Sequence, residues 1–435
     1  MNNKYIRIAA LLTAALALSW PRAGAQTDVE DSESDIRENP AIDVTAPVAT
    51  REEYPSYINL QANHIDLNGA NWSRLAARLA AAADSAVAVV HIGDSHLQAD
   101  IATAVTRRRL QQRYGNGGRG LIVPFKLAGT NEPRDYVLTS PAGLAASRLL
   151  KMPWPTEMTF TGIGIEPPSG SMELRMKGPD SFDRFTIHAA APGVTVISLT
   201  DPFGWDVGFT AEADDKRLHV TPERELTEVI MQLDVPAGAS IGAIDLRRGT
   251  GGLTYHVIGN NGATYSTYNL IGGMGNDVAA LRPELIVISL GTNEAFGKVS
   301  DATFRINIDE LVTDLRRANP GAELLLVTPA ECQRRTVRRV RRKGRKGRRT
   351  VRSYAVNPNI SRLRDVIVAY GRQNGIPVYD WYAVAGGAGS SARWLADKTL
   401  NTDRIHLTAA GYTLQGDLFT DALEETLHKS LSAHE

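Results

Sequence analysis

Ser95 lies in Gly93-Asp94-Ser95-His96, directly after a Val-rich apolar run and directly before a helical stretch, while Asp403 stands three residues ahead of His406 near the far end of the chain. A serine at the start of a helix meets unpaired backbone N–H groups that favour developing negative charge. That suits a nucleophile that makes an oxyanion, and it equally suits a plain N-cap. An Asp three residues before a His on a turn can hydrogen-bond the imidazole, fix its tautomer and leave the other nitrogen to take a proton from a serine. Two further stretches carry neutral donors: Gly259-Asn260-Asn261-Gly262-Ala263 and Gly291-Thr292-Asn293-Glu294, both at expected strand ends. A Gly lets its N–H approach an anionic oxygen closely and an Asn amide donates to the same oxygen, although each stretch also reads as an ordinary turn. What joins four separately ambiguous stretches is their order in one chain: Ser, Gly, Asn, then the Asp-His pair.

Such a site needs a sheet to assemble it. Residues 71–84 read as an Ala-rich helix, 86–92 as a buried strand and 101–114 as a second helix, the local grammar of a parallel α/β sheet. From about 125 to 252 the pattern changes to short alternating or β-branched runs (172–176, 185–188, 194–199, 229–233) separated by Pro, Gly and Asp. After that the α/β pattern resumes, with strands expected at 285–290 and 324–328 and helices at 304–318, 360–374 and 409–427. The expectation is an all-β, sandwich-like module, 125–252, inserted into one α/β domain built from 58–124 and 253–435.

The 435 residues are 43% hydrophobic, with 48 Lys plus Arg against 48 Asp plus Glu, which excludes a wholly disordered chain and a globally basic nucleic-acid binder. The single Cys332 excludes an intrachain disulfide framework and a multi-cysteine zinc site, and reads as a small core residue. Lys4 and Arg7 precede an apolar run at 8–20 that ends in Ala23-Gly24-Ala25, the pattern of a cleavable export signal with an uncleaved anchor as the alternative. A mature chain starting near Gln26 would occupy a periplasm, cell envelope or exterior, and no later run is long enough to span a membrane. Residues 26–57 are acidic and Pro-spaced and read as a linker. The charge balance hides one asymmetry: the segment that opens with Arg334 and closes with Arg352 holds twelve Lys or Arg and no acid, leaving net −12 elsewhere. It reads as a solvated flexible loop, as a tether to an anionic envelope polymer or lipid headgroups, or as a nucleic-acid contact, the last disfavoured by the export signal and by the lack of interleaved aromatics.

The four blocks in this order resemble the SGNH (GDSL-type) hydrolase superfamily. The wider runs HIGDSHLQAD at 91–100 and GTNE at 291–294, with the stretch 380–412 and its Gly386-Gly387 and Trp394, are similar to an envelope subgroup that includes peptidoglycan O-acetylesterases. In that subgroup a carbohydrate-binding-like β module follows the first block. The resemblance covers the chain from about Leu75 onward and implies a three-layer α/β/α fold with a parallel sheet. It implies Ser95 as nucleophile, His406 as general base and Asp403 as its orienting partner. The oxyanion hole would comprise the Ser95 and Gly262 N–H groups and the Asn293 side chain, with Gly259 as the alternative glycine in a shifted register. His96 stands where the name motif has Leu, and Glu294 where many members have Asp. The implied activity is an exported serine esterase that removes O-acetyl or other O-acyl groups from a cell-wall or other polysaccharide through an acyl-enzyme, without metal or cofactor. An O-acetyltransferase of the same fold and a noncatalytic glycan-binding protein are the alternatives. His96, Gln98 and Glu294 are candidate substrate contacts at the mouth, each with a second reading as a loop-stabilising residue.

Overall fold

Apolar runs without polar alternates become strands covered on both faces, and Val87–Gly93, buried at all seven positions, is one. The computed structural model describes residues 53–341 and 348–432, so the expected export signal and most of the acidic linker lie outside the described residues. Across the main sheet the order is Ile65–Asp66, Val378–Tyr379, Glu323–Val327, Pro283–Ser289, Val87–Gly93 and Leu253–Gly259. Only the pairing of Ile65–Asp66 with its neighbour is antiparallel. Strand periodicity sends Val87 and Val89 into one core with Leu75, Leu79, Leu414 and Leu418, and Val90 and Ile92 into the other with Phe304, Ile308, Leu363 and Ile367. The helices Ser73–Ala80, Ile101–Tyr114 and Ala409–Ser432 therefore cover one face, and Asp301–Ala318 and Pro358–Gln373 the other.

Register decides where the chemistry falls. Gly93 stands opposite both Gly259 and Ser289, so three strands end level and deliver the turns that follow them to one edge. The chain leaves Val87–Gly93, returns on one flank as Leu253–Gly259 and crosses to the other flank as Pro283–Ser289. That reversal opens a crevice at the carboxyl ends of the strands, the usual ligand position in open α/β sheets.

The inserted block forms two sheets, one of seven strands and one of four, packed around Ile122, Phe185, Met231 and Leu246. It begins earlier than the expected residue 125: Gly120–Ile122 pairs antiparallel with Ile241–Arg247. The period of two explains how so short a strand serves both units. Ile122 enters the core of the β block while Leu121 and Val123 join the α/β core. No described helix is long and apolar enough to cross a membrane.

The basic run departs from the expected loop. Gln333–Arg341 pairs antiparallel with Arg348–Val356, placing Arg334 opposite Ala355 and Val337 opposite Arg352. Strand propensity outweighs like-charge repulsion here: Thr336, Val337, Val340, Thr350 and Val351 break up the arginines with strand-favouring residues. Thr336 Oγ1 and Ser353 Oγ add a cross-strand hydrogen bond of 2.6 Å.

Candidate active site

The turn after Val87–Gly93 is shaped by Asp94, whose carboxylate accepts from the His96 N–H at 3.0 Å and caps the helix Ser95–Gln98. A helix of four residues has little dipole, so its contribution to an anion is the individual N–H groups of its first turn. The helix stops because Asp100 adopts φ +54° before Ile101–Tyr114 begins. Its buried carboxylate accepts from Arg107 Nη1 at 2.8 Å and Arg119 Nη2 at 2.5 Å, and both arginines also bind Asp135. This buried cluster ties the Ser95 turn to the root of the inserted block.

At the other side, Asp403 Oδ1 accepts from the N–H groups of Ile405 and His406 at 2.8 and 3.0 Å, while its Oδ2 meets His406 Nδ1 at 2.7 Å. Burial alone would raise the Asp403 carboxyl, but the hydrogen bond and charge of His406 with these backbone donors hold it below the usual carboxylate range. His406 Nε2 lies 2.8 Å from Ser95 Oγ. The tight turn between acid and base puts Arg404 at φ +64°, and the neighbouring chain pins it there. The Gln333 N–H donates to the Arg404 carbonyl at 2.9 Å, Arg404 Nη1 donates to Gln333 Oε1 at 2.7 Å, and the guanidinium lies 4.0 Å from the Tyr354 ring centroid. The root of the basic hairpin thus braces the loop that carries His406.

The turns that follow the level strand ends carry the expected donors, and Asn293 Nδ2 reaches Asp94, the residue before Ser95. Neither the Ser95 nor the Gly262 N–H finds a backbone acceptor among the described residues. Gly262 has φ +78°, which turns the loop in a way that a side chain would strain. Gly259 plays a different part, since a Cβ there would stand 2.6 Å from the Gln98 nitrogen; it lets the Ser95 helix pack against its strand. This geometry favours Gly262 over Gly259 as the donor. Asn293 Nδ2 donates to the Ala263 carbonyl at 3.0 Å and makes a longer 3.3 Å contact to Asp94 Oδ2.

The three expected mouth residues separate. His96 stays partly exposed, its ring 5.2 Å from that of His406. Gln98 turns inward: its Nε2 donates to Thr130 Oγ1 and the Asn131 carbonyl at 3.0 and 2.7 Å, and its Oε1 accepts from the Asn261 N–H at 2.6 Å. With its amide committed, Gln98 binds the inserted block to the Gly262 loop and has no free group for substrate. Glu294 is buried as well; its Oε1 accepts from the Tyr265 N–H at 2.8 Å and its Oε2 has no partner among the described residues. Burial pushes the Glu294 carboxyl up to about 7 and Asp94 up to about 6. A carboxyl raised on folding binds its proton more tightly in the native state. Its contribution to stability is therefore complete below the ordinary value near 4.5 and is lost as pH rises through about 7. Glu294→Gln keeps an acceptor for Tyr265 and removes the titration. Its urea midpoint relative to the parent is expected to rise between pH 4.5 and 7.5; a constant difference across that range would mean that Glu294 is not buried as a neutral acid.

Sequence reasoning missed the Asp100, Arg107, Arg119 and Asp135 cluster, the Gln333 brace, and Tyr412, whose hydroxyl lies 3.1 Å from His96 Nδ1. The cluster and the brace both join residues distant in sequence, so no local pattern signals either.

A serine hydroxyl, imidazole and carboxylate stand joined in series at the switch point of a parallel sheet, and the α/β domain has the SGNH-type fold. Residues 238–414 match the GDSL-like Lipase/Acylhydrolase family, a span that holds the second, third and fourth blocks. The Ser95 block stands outside it, on the far side of the inserted module. A solved structure of a peptidoglycan O-acetylesterase is 21% identical and aligns with a TM-score of 0.65 over 86% of this chain and 98% of that one, a likeness of fold that extends through the insertion. The lipase/acylhydrolase from Enterococcus faecalis is 22% identical over 40% of this chain and 77% of that one, with a TM-score of 0.29. No curated protein matches the chain.

Proposed function

We propose that the protein is an exported serine esterase that removes O-acetyl groups from a cell-wall polysaccharide, with peptidoglycan as the first candidate. The observation that carries this reading is the continuous Ser95–His406–Asp403 hydrogen-bond chain, of 2.8 and 2.7 Å, at the ends of the parallel strands. His406 Nε2 takes the Ser95 proton as Oγ bonds to the ester carbonyl carbon. The resulting oxyanion is held by the Ser95 and Gly262 N–H groups and the Asn293 amide. Collapse expels the sugar oxygen, which receives the proton from His406, and leaves Ser95 acetylated. Water then repeats the sequence with His406 as its base, releasing acetate and restoring the hydroxyl. The likeness of fold to a peptidoglycan O-acetylesterase supports the substrate class and an envelope location. The test is acetate release from purified O-acetylated peptidoglycan set against acetylated xylan. Faster release from peptidoglycan is expected; release from xylan alone, or transfer to an added sugar in place of water, would overturn the reading.

The inserted block orients the polymer in this mechanism. Its turn at 201–206 presents Phe203 and Trp205, 85% and 72% exposed, on a rigid base. Asp201 Oδ1 accepts from their N–H groups at 2.9 and 3.0 Å, and Asp201 Oδ2 binds Arg224 at 2.8 Å. Flat apolar rings presented on a fixed turn backbone are suited to the C–H faces of sugars. The double variant Phe203→Ala, Trp205→Ala is expected to lower activity on the polymer about tenfold more than on a small ester. Parallel losses on both substrates would assign the block to fold support.

The basic hairpin supplies the anionic-polymer contact. Its field is strongest where screening is weak, and the screening length is about 8 Å at physiological salt. Replacing the Arg and Lys residues of 338–352 with Ser is expected to flatten the salt dependence of activity on an acidic polymer. Equal salt slopes for parent and variant would make the hairpin a structural brace only.

A further inference from the structure

The residue after the nucleophile is held in a defined chemical state by the last helix. Tyr412, on Ala409–Ser432, is 2% exposed, and its hydroxyl lies 3.1 Å from His96 Nδ1. Buried and strongly disfavoured from ionising, that hydroxyl keeps its proton, and His96 Nδ1 is the acceptor within reach. An imidazole that accepts at Nδ1 carries its own hydrogen at Nε2. His96 Nε2 has no protein partner among the described residues, and the residue is partly exposed at the mouth.

A second feature makes this a donor and not a second base. The His96 and His406 rings are 5.2 Å apart, so an imidazolium at His406 discourages a second charge beside it. Burial and that neighbour push His96 down to about 3, leaving it neutral across the working range. His96 therefore cannot compete for the Ser95 proton, and it cannot repel the His406 cation that the reaction forms. What remains is an uncharged imidazole beside His406 with Nε2 free of protein partners among the described residues.

We propose that His96 is a substrate-binding residue whose Nε2–H donates to an acceptor oxygen on the saccharide side of the ester, and that Tyr412 is the positioning residue that fixes this tautomer. This rests on the esterase reading above and sharpens it: the preferred alcohol carries a ring, hydroxyl or amide oxygen next to the acetylated carbon, which a plain aryl or alkyl alcohol lacks. No bond to His96 forms or breaks in the reaction.

The test compares kcat/KM for an O-acetylated methyl glycoside with that for phenyl acetate. His96→Phe keeps the ring volume and removes the donor, and it is expected to lower the sugar-to-aryl ratio about tenfold, with the loss in KM. Tyr412→Phe lets His96 exchange tautomers and is expected to lower the same ratio by a few fold. His96→Gln restores a donor without a tautomer, so the ratio recovers, and adding Tyr412→Phe to it has little further effect on the ratio. Equal losses on both esters would make the pair a packing element of the His406 loop and overturn the proposal, as would a Tyr412→Phe effect that persists in full in the His96→Gln background. A parent inactive on every ester would instead overturn the esterase reading itself, so the two failures are distinct.

Discussion

Ser95→Ala and His406→Ala are each expected to lower turnover of a small acetyl ester by about a thousandfold or more, with both variants folded by circular dichroism and thermal unfolding. The expectation comes from the series arrangement. Ser95 Oγ is poorly nucleophilic until His406 Nε2, 2.8 Å away, accepts its proton, and His406 is held in the right tautomer by Asp403 at 2.7 Å. Each member is useless without the next, so single losses are nearly as large as combined ones. The double variant Ser95→Ala, His406→Ala is accordingly expected to be only slightly worse than either single variant. Folding is spared because Ser95 donates to no core carbonyl and His406 closes a loop already braced by Gln333 and by the Asp403 backbone bonds. Near-normal turnover by folded Ser95→Ala would move the nucleophile elsewhere.

Asn293→Ala is expected to give the next largest effect, a loss of about a hundredfold or more in kcat, since removing one oxyanion donor typically costs about 3 kcal/mol of transition-state stabilisation. The loss belongs in kcat because the amide gains charge to bind only when the carbonyl becomes tetrahedral. In the resting site that amide makes one good bond, to the Ala263 carbonyl, and a longer contact to Asp94, so its second hydrogen can turn to a stronger acceptor at small cost. A rise in KM with unchanged kcat would place Asn293 in ground-state binding and leave the oxyanion to the two backbone donors.

Strands covered on both faces were legible because an unbroken apolar run leaves little choice, and their shared ends follow once Gly93, Gly259 and Ser289 stand in register. The Asp403-His406 pair was legible because its geometry is local, three residues on one turn. Where partners are distant in sequence, local reading falls short. The break at Asp100 depends on Arg119 and Asp135, and the inward turn of Gln98 depends on Thr130 and Asn131, all brought up by the β insertion or its root. Asn-Gly at 261–262 reads as a turn in any protein, and only the packing of Gly259 against the Gln98 nitrogen separates the two glycines. The basic segment failed differently: its charges argued for an extended loop, while the β-branched residues between them paired into a hairpin.

In the proposed mechanism, an acetyl group passes through Ser95 on its way to water. Rapid quenching of the enzyme in acid during turnover of an acetyl ester, followed by proteolysis and mass spectrometry, tests this most directly. Acetyl is expected on the peptide that holds Ser95 in the parent enzyme, and none is expected in Ser95→Ala. Acetyl found on another side chain, or turnover by a parent enzyme that is acetylated at no stage, would contradict it.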